Sequence, residues 1–268
     1  MIHKKYRSLF KIAIQDSLAY RMTYFFNVLG RFVALVTLLY IWKGLFAGRD
    51  TLNGYTWEHM KTYLFVTFTV NALISWYSEG RVSAKIRDGS VAMDLIKPLD
   101  FQKTQLAGTL GNCVAEIAVS LAFCVLLLPL FGGIGTPASP VCALLFIISV
   151  LFSFFIKFGI VYLFGLLCFY TTASTGVRWA RGALTDLFSG ALVPITFFTP
   201  AMLAVSRVLP FQGIVFYTGF YIYGYGRGYS RYFELIIISG SLGIRVMVLR
   251  PGILAGSGAP GYNRRGLR

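Results

Sequence analysis

The sequence carries few charges, and those of acidic sign are the scarcest. Charged residues make up 13% of its 268 positions, whereas soluble domains carry about 25%. Hydrophobic residues make up 56%, and the mean hydropathy is +0.68. This combination excludes an ordinary soluble domain and predicts an integral membrane protein, whose organisation is counted in spans of about 20 residues.

Catalytic and metal-binding signatures are also missing. The sequence has no GxxxxGK[ST], HExxH or GxSxG motif, so it lacks the loop through which P-loop ATPases hold their nucleotide. His3 and His59 are its only histidines, and its four cysteines form no CxxC pair. We therefore expect no catalytic residue, no metal site and no cofactor bound by this chain. The cysteines are expected to be small buried apolar side chains.

Basic residues concentrate in alternate segments between the apolar runs, which indicates membrane topology. Twelve Lys and Arg lie in three segments that we assign to the cytoplasm: 1–21, 79–104 and 171–182. Two lie in three segments that we assign to the outside: 47–59, 132–140 and 205–212. Because Lys and Arg in short loops mark the cytoplasmic side, the pattern predicts a cytoplasmic N-terminus in the inner membrane. The net charge of +15 is then explained by topology and anionic membrane lipid, and no nucleic-acid partner is expected.

The hydrophobic pattern predicts an all-α membrane protein with about six transmembrane helices after an N-terminal amphipathic helix. Residues 4–20 place Tyr6, Leu9, Phe10, Ala13 and Ile14 on one helical face, which suits an interfacial helix. The predicted spans follow: 23–46, 60–78, 105–131, 141–171 and 183–204. A degenerate sixth span is predicted over 232–249, inside an atypical Gly- and Arg-rich tail, 218–268. The composition of that tail fits either a natural glycine-rich segment or a shifted reading frame.

The charged residues that we place inside the membrane from the predicted spans are Arg31, Glu116, Lys157 and Asp186. Charges inside spans are costly and are often functional. We interpret them as a polar pathway or as interhelical ion pairs; the alternative is that some lie nearer the membrane surface than the span limits suggest. Asp186, near the inner end of the fifth span, fits that alternative.

The fifth predicted span is interrupted by Gly190, Pro194 and Pro200. Proline removes a helical backbone hydrogen bond, and such breaks persist in a bilayer only against protein or water. We therefore expect a span followed by a re-entrant or interfacial piece near the outer face, continuing through 209–217.

The polar block Glu79–Lys103 has a helical periodicity of its own. Val82 and Ile86 share one face, Arg81 and Lys85 a neighbouring one, and Gly89 suits a left-handed helix cap. A second short helix follows and ends at Pro98. Two short helices with exposed charges predict a docking surface for a soluble partner; the alternative is an ordinary solvated loop.

Three segments in order resemble the permease subunits of ABC-2 type exporters, over residues 1–217. The first is Ala19-Tyr20-Arg21 after the amphipathic helix, and the third is SGALVPITFFTPAMLAVSRVLPFQGIVFYT. The second, IRDGSVAMDLIKPLDF, is similar to the family pattern I-R-x-G ending in L-[LI]-[RK]-P. It places these residues on the motif: Ile86, Arg87, Gly89, Leu95, Ile96, Lys97 and Pro98.

The resemblance implies an ABC-2 permease architecture, like that of type V exporters, and a transport mechanism. Two permeases, identical or related, would form the membrane dimer, and each would rest on a separate ATP-binding subunit that carries ATP and Mg. The loop between spans 2 and 3 would be the coupling helix, through Arg81, Lys85, Ile86, Arg87, Gly89, Leu95, Lys97 and Pro98. Gly190, Pro194 and Pro200 would supply adaptable backbone near an outer gate. The alternatives are an ATP-independent carrier that uses Glu116 and Lys157, and a membrane protein that transports nothing.

Overall fold

Long apolar runs without internal proline form the longest helices of the structure. The computed structural model describes residues 2–215 except 72–75, 98, 128, 130–139, 169 and 172–173, and most of these residues are helical. In this part of the chain the helices are α1 Ile2–Ala19, α2 Arg21–Leu45, α3 Trp57–Asn71, α4 Trp76–Arg87, α5 Val91–Ile96, α6 Phe101–Leu127, α7 Pro140–Leu167, α8 Ser174–Phe188 and α9 Pro200–Val208. The predicted tail 218–268 and its sixth span, 232–249, lie outside the described residues.

Three of the described helices are long and apolar enough to cross a membrane. They are α2, α6 and α7, with apolar stretches Arg21–Leu45, Phe101–Leu126 and Pro140–Leu167. They correspond to the first, third and fourth predicted spans. The protein is therefore an all-α, multi-pass membrane protein, whereas the count of six spans stays a prediction.

The two other predicted spans correspond to shorter helices with different limits. Helices α3 and α8 have 15 residues each, a length of about 22 Å. Helix α8 begins at Ser174 rather than at 183, so the segment expected to be a cytoplasmic loop is helical over 174–182. It ends at Phe188 rather than continuing to 204. The helix begins earlier than the predicted span because Arg181 is buried against protein, whereas hydropathy alone places an arginine in a loop.

Helix α1 packs lengthwise along the first half of α6. The hydroxyl of Tyr6 accepts the backbone N–H of Asp100 at 3.3 Å, and the hydroxyl of Ser17 donates to Asn112 at 3.1 Å. Both helices thus advance in the same direction over this contact. The apolar face that the sequence predicts for α1 is its buried or half-buried face. That α1 lies in a headgroup layer stays a prediction.

Helices α1 and α4, which come from two of the segments predicted to be cytoplasmic, both pack against α6. Helix α1 contacts the start of α6, which is capped by Asp100 through the backbone N–H of Lys103 at 3.1 Å. Helix α4 packs against α6, α7 and α8. Between α2 and α3, the Asn53-Gly54 turn adopts positive φ values of 51° and 85°, as a tight hairpin turn requires. Asn53 donates from its side chain to the carbonyl of Thr196 at 2.6 Å.

The chain re-enters the bundle after α9. Residues 211–215 are all buried, and Ser153, near the middle of α7, donates to the carbonyl of Gly213 at 3.0 Å. The 3₁₀ turn Pro210–Gly213 therefore lies inside the helix bundle. A re-entrant piece over 209–217, as the sequence predicts, would lie inside the bundle in this way. The structure describes this piece as far as residue 215.

Replacement of Gly111 by Ala should loosen the contact between α1 and α6. A Cβ at Gly111 would lie 2.6 Å from both the Cβ of Ala13 and the carbonyl oxygen of Phe10. We expect Gly111→Ala to destabilise the purified protein by about 1–3 kcal/mol, because overpacking forces the helices apart. Thermal unfolding in detergent measures this change.

The matched control is Gly30→Ala in α2, where nothing lies within 4 Å of the added atom. Because Ala is a better helix former than Gly by about 1 kcal/mol, this variant should unfold at the wild-type temperature or above. Equal unfolding temperatures for the two variants would contradict the close packing of α1 on α6.

Candidate functional site

The polar block folds as two short helices, α4 and α5, joined by a tight turn. Gly89 has a φ of +76°, which a residue with a Cβ rarely adopts. The carboxylate of Asp88 accepts the backbone N–H of Ser90 at 2.9 Å and its hydroxyl at 2.7 Å. These hydrogen bonds hold the pKa of Asp88 below its usual value. The helix break predicted at Asp88-Gly89 is confirmed.

Asp94 fastens the two helices to each other. It pairs with Lys85 of α4 and, at 2.7 Å, with Lys97 at the end of α5. Burial raises the pKa of Asp94, but the two ammonium groups outweigh it and the pKa is lowered. Lys85 and Lys97 therefore both stabilise the hairpin through Asp94. Sequence reasoning missed Asp94, although its i, i+3 spacing to Lys97 was a signal.

The far side of this helical hairpin exposes apolar side chains. Met93 is 67% exposed and Ile96 is 79% exposed, whereas Val91 is turned inward and buried. Exposed Arg87 and Lys97 flank them. We call Arg87, Met93, Ile96 and Lys97 the docking surface, because apolar side chains exposed between charges suit contact with another protein. Arg81 lies in α4 and Leu95 in α5, and Pro98 lies outside the described residues.

Helix α4 connects the docking surface to the transmembrane helices. Val82 is buried against Gly165 of α7, where an added Cβ would lie 3.3 Å from the Val82 side chain. The thiol of Cys168 donates to Ser83 at 3.4 Å. At Gly80 an added Cβ would lie 2.8 Å from the Arg178 guanidinium of α8. A displacement of α4 would therefore be transmitted to α7 and α8.

Three of the charges predicted within spans, Arg31, Glu116 and Lys157, lie close together in the bundle. A guanidinium nitrogen of Arg31 lies 3.7 Å from Glu116 and donates to the backbone carbonyl of Asn71 at 3.2 Å. The ammonium of Lys157 donates to the same carbonyl at 2.7 Å. Glu116 is 1% exposed and Lys157 5% exposed. This cluster therefore brings together side chains and a backbone carbonyl from α2, α3, α6 and α7.

A cleft of about 530 Å³ opens beside this cluster. Its walls come from α2, α3, α7, α8 and the residues that follow α8. The charged lining residues are Arg31, Lys157, Arg181 and Asp186, and much of the rest is apolar. Arg181 is 4% exposed, although the sequence placed it in a cytoplasmic loop. It was missed as a site residue because hydropathy does not distinguish a buried arginine from a solvated one.

The interrupted segment after α8 is held by specific contacts. Gly190 has a φ of +86°, and its carbonyl accepts the hydroxyl of Tyr63 at 2.7 Å. Pro194 precedes the 3₁₀ turn Ile195–Phe197, and Pro200 opens α9 behind the N-cap residue Thr199. Since Ala191 and Leu192 line the cleft, this segment forms part of its wall.

Comparison with known proteins gives one match. The family model described as ABC-2 family transporter protein matches residues 32–247. The match begins after α1 and extends beyond residue 217, through most of the predicted sixth span. No curated protein and no solved structure matches the chain. Among the described residues, no group of three or more His, Cys, Asp or Glu is arranged to hold a metal ion.

Replacement of Asp94 by Asn should loosen the hairpin of α4 and α5. The amide cannot form ion pairs with Lys85 and Lys97, and pairs at this degree of exposure contribute about 0.2–1 kcal/mol each. We expect amide hydrogen exchange over 85–97 to accelerate roughly two- to thirty-fold, measured by mass spectrometry. Asp88→Asn is the control, because the amide keeps an oxygen that accepts from Ser90.

The difference in hydrogen exchange between the wild type and Asp94→Asn should depend on pH. Because the folded-state pKa of Asp94 is lowered, its pairs stabilise the hairpin above the ordinary carboxyl pKa. That contribution disappears as the pH falls through the lowered value. The wild type and Asp94→Asn should therefore differ in exchange near neutrality and converge in acid; a difference that persists in acid would contradict the ion-pair explanation.

Proposed function

We propose that this chain, which belongs to the ABC-2 transporter family, is the permease subunit of an ATP-driven exporter. The family match over 32–247 is the observation that carries the proposal, and three apolar helices of membrane-crossing length support it. The subunit lies in the inner membrane with its N-terminus in the cytoplasm, as the distribution of basic residues predicts.

A separate ATP-binding subunit supplies the energy in this proposal. ATP and Mg bind to that subunit, and this chain binds no cofactor of its own. Its contact with the permease is the docking surface, whose apolar residues Met93 and Ile96 would be covered by the partner. Arg87 and Lys97 at the edge of the surface would then fix the orientation and accelerate the encounter with an acidic groove.

Nucleotide-driven motion of the ATP-binding subunit reaches the cleft through α4. When the partner moves the docking surface, α4 carries α7 with it through Val82 and Gly165. It also carries α8, since the Arg178 side chain lies directly against Gly80. Helix α8 bears Arg181 and forms one wall of the cleft, so binding free energy at one interface can shift the packing at another.

A second permease completes the membrane part of the transporter in this proposal. It is either another copy of this chain or a related permease, and both are surrounded by membrane lipid. The interrupted segment with Gly190, Pro194 and Pro200 lies near the outer end, where a gate would open. Its contacts with Tyr63 and Asn53 would have to change for that gate to move.

Affinity purification of the tagged chain from solubilised native membranes tests the assignment. Mass spectrometry of the co-purifying proteins should find an ATPase with a P-loop motif in stoichiometric amount, and it identifies any related permease. A stable, membrane-inserted chain that co-purifies with no ATPase would overturn the proposal.

The double substitution Met93→Ser, Ile96→Ser should weaken binding of the ATP-binding subunit. Burial of the two exposed apolar side chains contributes about 1.5–3 kcal/mol each, so we expect at least a ten-fold loss of co-purified ATPase. Quantitative mass spectrometry of the same pull-down measures this loss.

Lys103→Ser is the control for this double substitution, because it removes an exposed side chain of α6 beyond the hairpin. The control should retain the ATPase at the wild-type level, and both variants should reach the membrane in equal amounts. Retention of the ATPase by the double variant would show that the docking surface lies elsewhere.

A further inference from the structure

The cleft beside the buried cluster is lined by more positive than negative charge. Arg31, Lys157 and Arg181 face one lining carboxylate, Asp186. When Glu116 behind the wall is included, the basic groups still exceed the acidic groups by three to two. Lys157 and Arg181 are almost fully buried, and charge in an apolar bundle is costly enough that it usually marks a functional site.

The remaining walls of the cleft are suited to an apolar body. They include Leu35 and Leu38 from α2 and Leu64 and Phe68 from α3. The volume of about 530 Å³ lies within the range of ligand sites, which are typically apolar with a few polar groups that fix orientation. One part of this cleft therefore favours an anion and the other favours hydrocarbon or an aromatic ring.

We propose that the cleft binds an anionic amphiphile, a molecule with a single acidic headgroup and an apolar body. The inference rests on the proposed transport function, for which it names the substrate class. The headgroup lies between Lys157 and Arg181, where charge-assisted hydrogen bonds are strong. The apolar body extends along the leucine and phenylalanine side chains of α2 and α3.

The same groups select against other classes of molecule. A cationic amphiphile would bring a third or fourth positive charge to Lys157 and Arg181, and like charges at short range cost several kcal/mol. A neutral sugar would bring no negative charge to the basic groups and no apolar surface to the leucine and phenylalanine side chains. Asp186, exposed beside the cleft, adds repulsion against a second acidic group on the ligand, which favours a monoanion.

Trp179 provides a local reporter of binding. It lines the cleft and its ring is largely exposed, so a bound molecule with a bromine atom would quench its fluorescence. The probe is 11-bromoundecanoate, and its neutral partner is 11-bromoundecan-1-ol. The full-length chain is measured in nanodiscs of phosphatidylcholine, and Trp179→Phe identifies the part of the signal that comes from the cleft.

Removal of positive charge from the cleft should weaken binding of the carboxylate probe and leave binding of the alcohol unchanged. We expect Lys157→Gln and Arg181→Gln each to raise the Kd of 11-bromoundecanoate roughly ten-fold or more, with quenching by the alcohol unchanged. Lys157→Arg and Arg181→Lys should restore most of the affinity, since they keep the charge. Lys103→Gln, an equal change of charge at an exposed position, should bind both probes as the wild type does.

A second quenching experiment distinguishes a membrane lipid from a soluble amphiphile as the ligand of the cleft. Brominated phosphatidylglycerol and brominated phosphatidylcholine are incorporated at equal mole fraction. Excess quenching of Trp179 by the anionic lipid, lost in Lys157→Gln, would identify the bilayer as the source of the ligand. Charge-dependent binding confined to the free carboxylate would identify a soluble amphiphile.

Indifference of both anionic probes to Lys157→Gln and Arg181→Gln would overturn the proposal. Unchanged quenching by the alcohol shows that each variant retains its folded cleft, so a loss of carboxylate binding is not misread as unfolding. This assay requires no ATP-binding subunit, whereas the co-purification requires no ligand. Failure of the anionic site is therefore distinguishable from failure of the transporter assignment.

Discussion

The need to neutralise charge inside an apolar bundle is the constraint on which this structure depends. Each basic or acidic group within a membrane span costs about 2.5–3.5 kcal/mol. Arg31 and Lys157 offset that cost by donating hydrogen bonds to the backbone carbonyl of Asn71. Arg31 also lies close to the carboxylate of Glu116. Because these residues come from four helices, their mutual contacts fix how α2, α3, α6 and α7 are arranged.

The cleft and the docking surface follow from that arrangement. The cluster leaves an excess of positive charge toward the cleft, and α8 closes it with Arg181. Helix α8 is in turn packed against α4, whose hairpin with α5 presents Met93 and Ile96 to solution. A chain of packed elements thus connects the proposed docking surface with the proposed anionic site. Such a connection is what an energy-coupled permease needs, since its two sites must influence one another.

Local rules predicted much of this protein. The apolar face of α1, the left-handed Gly89 and the long helices α2, α6 and α7 follow from periodicity and cap chemistry within a few neighbouring residues. Helix α8 starts earlier than the predicted fifth span because Arg181 is buried by helices that are distant in sequence, which a hydropathy window does not include. Asp94 was missed for a related reason, since its pairing with Lys85 depends on the angle between α4 and α5.

The sequence by itself determined the class of the protein, its long helices and three of the residues that carry charge into the bundle, Arg31, Glu116 and Lys157. Those properties arise from side-chain hydropathy and from hydrogen bonds between near neighbours, and both depend only on residues that are close in sequence. Only the tertiary structure decided which charges meet, that Arg181 joins the cleft, and that α4 rests on α7 and α8. These depend on contacts between residues far apart in sequence, whose geometry is set by how whole helices pack.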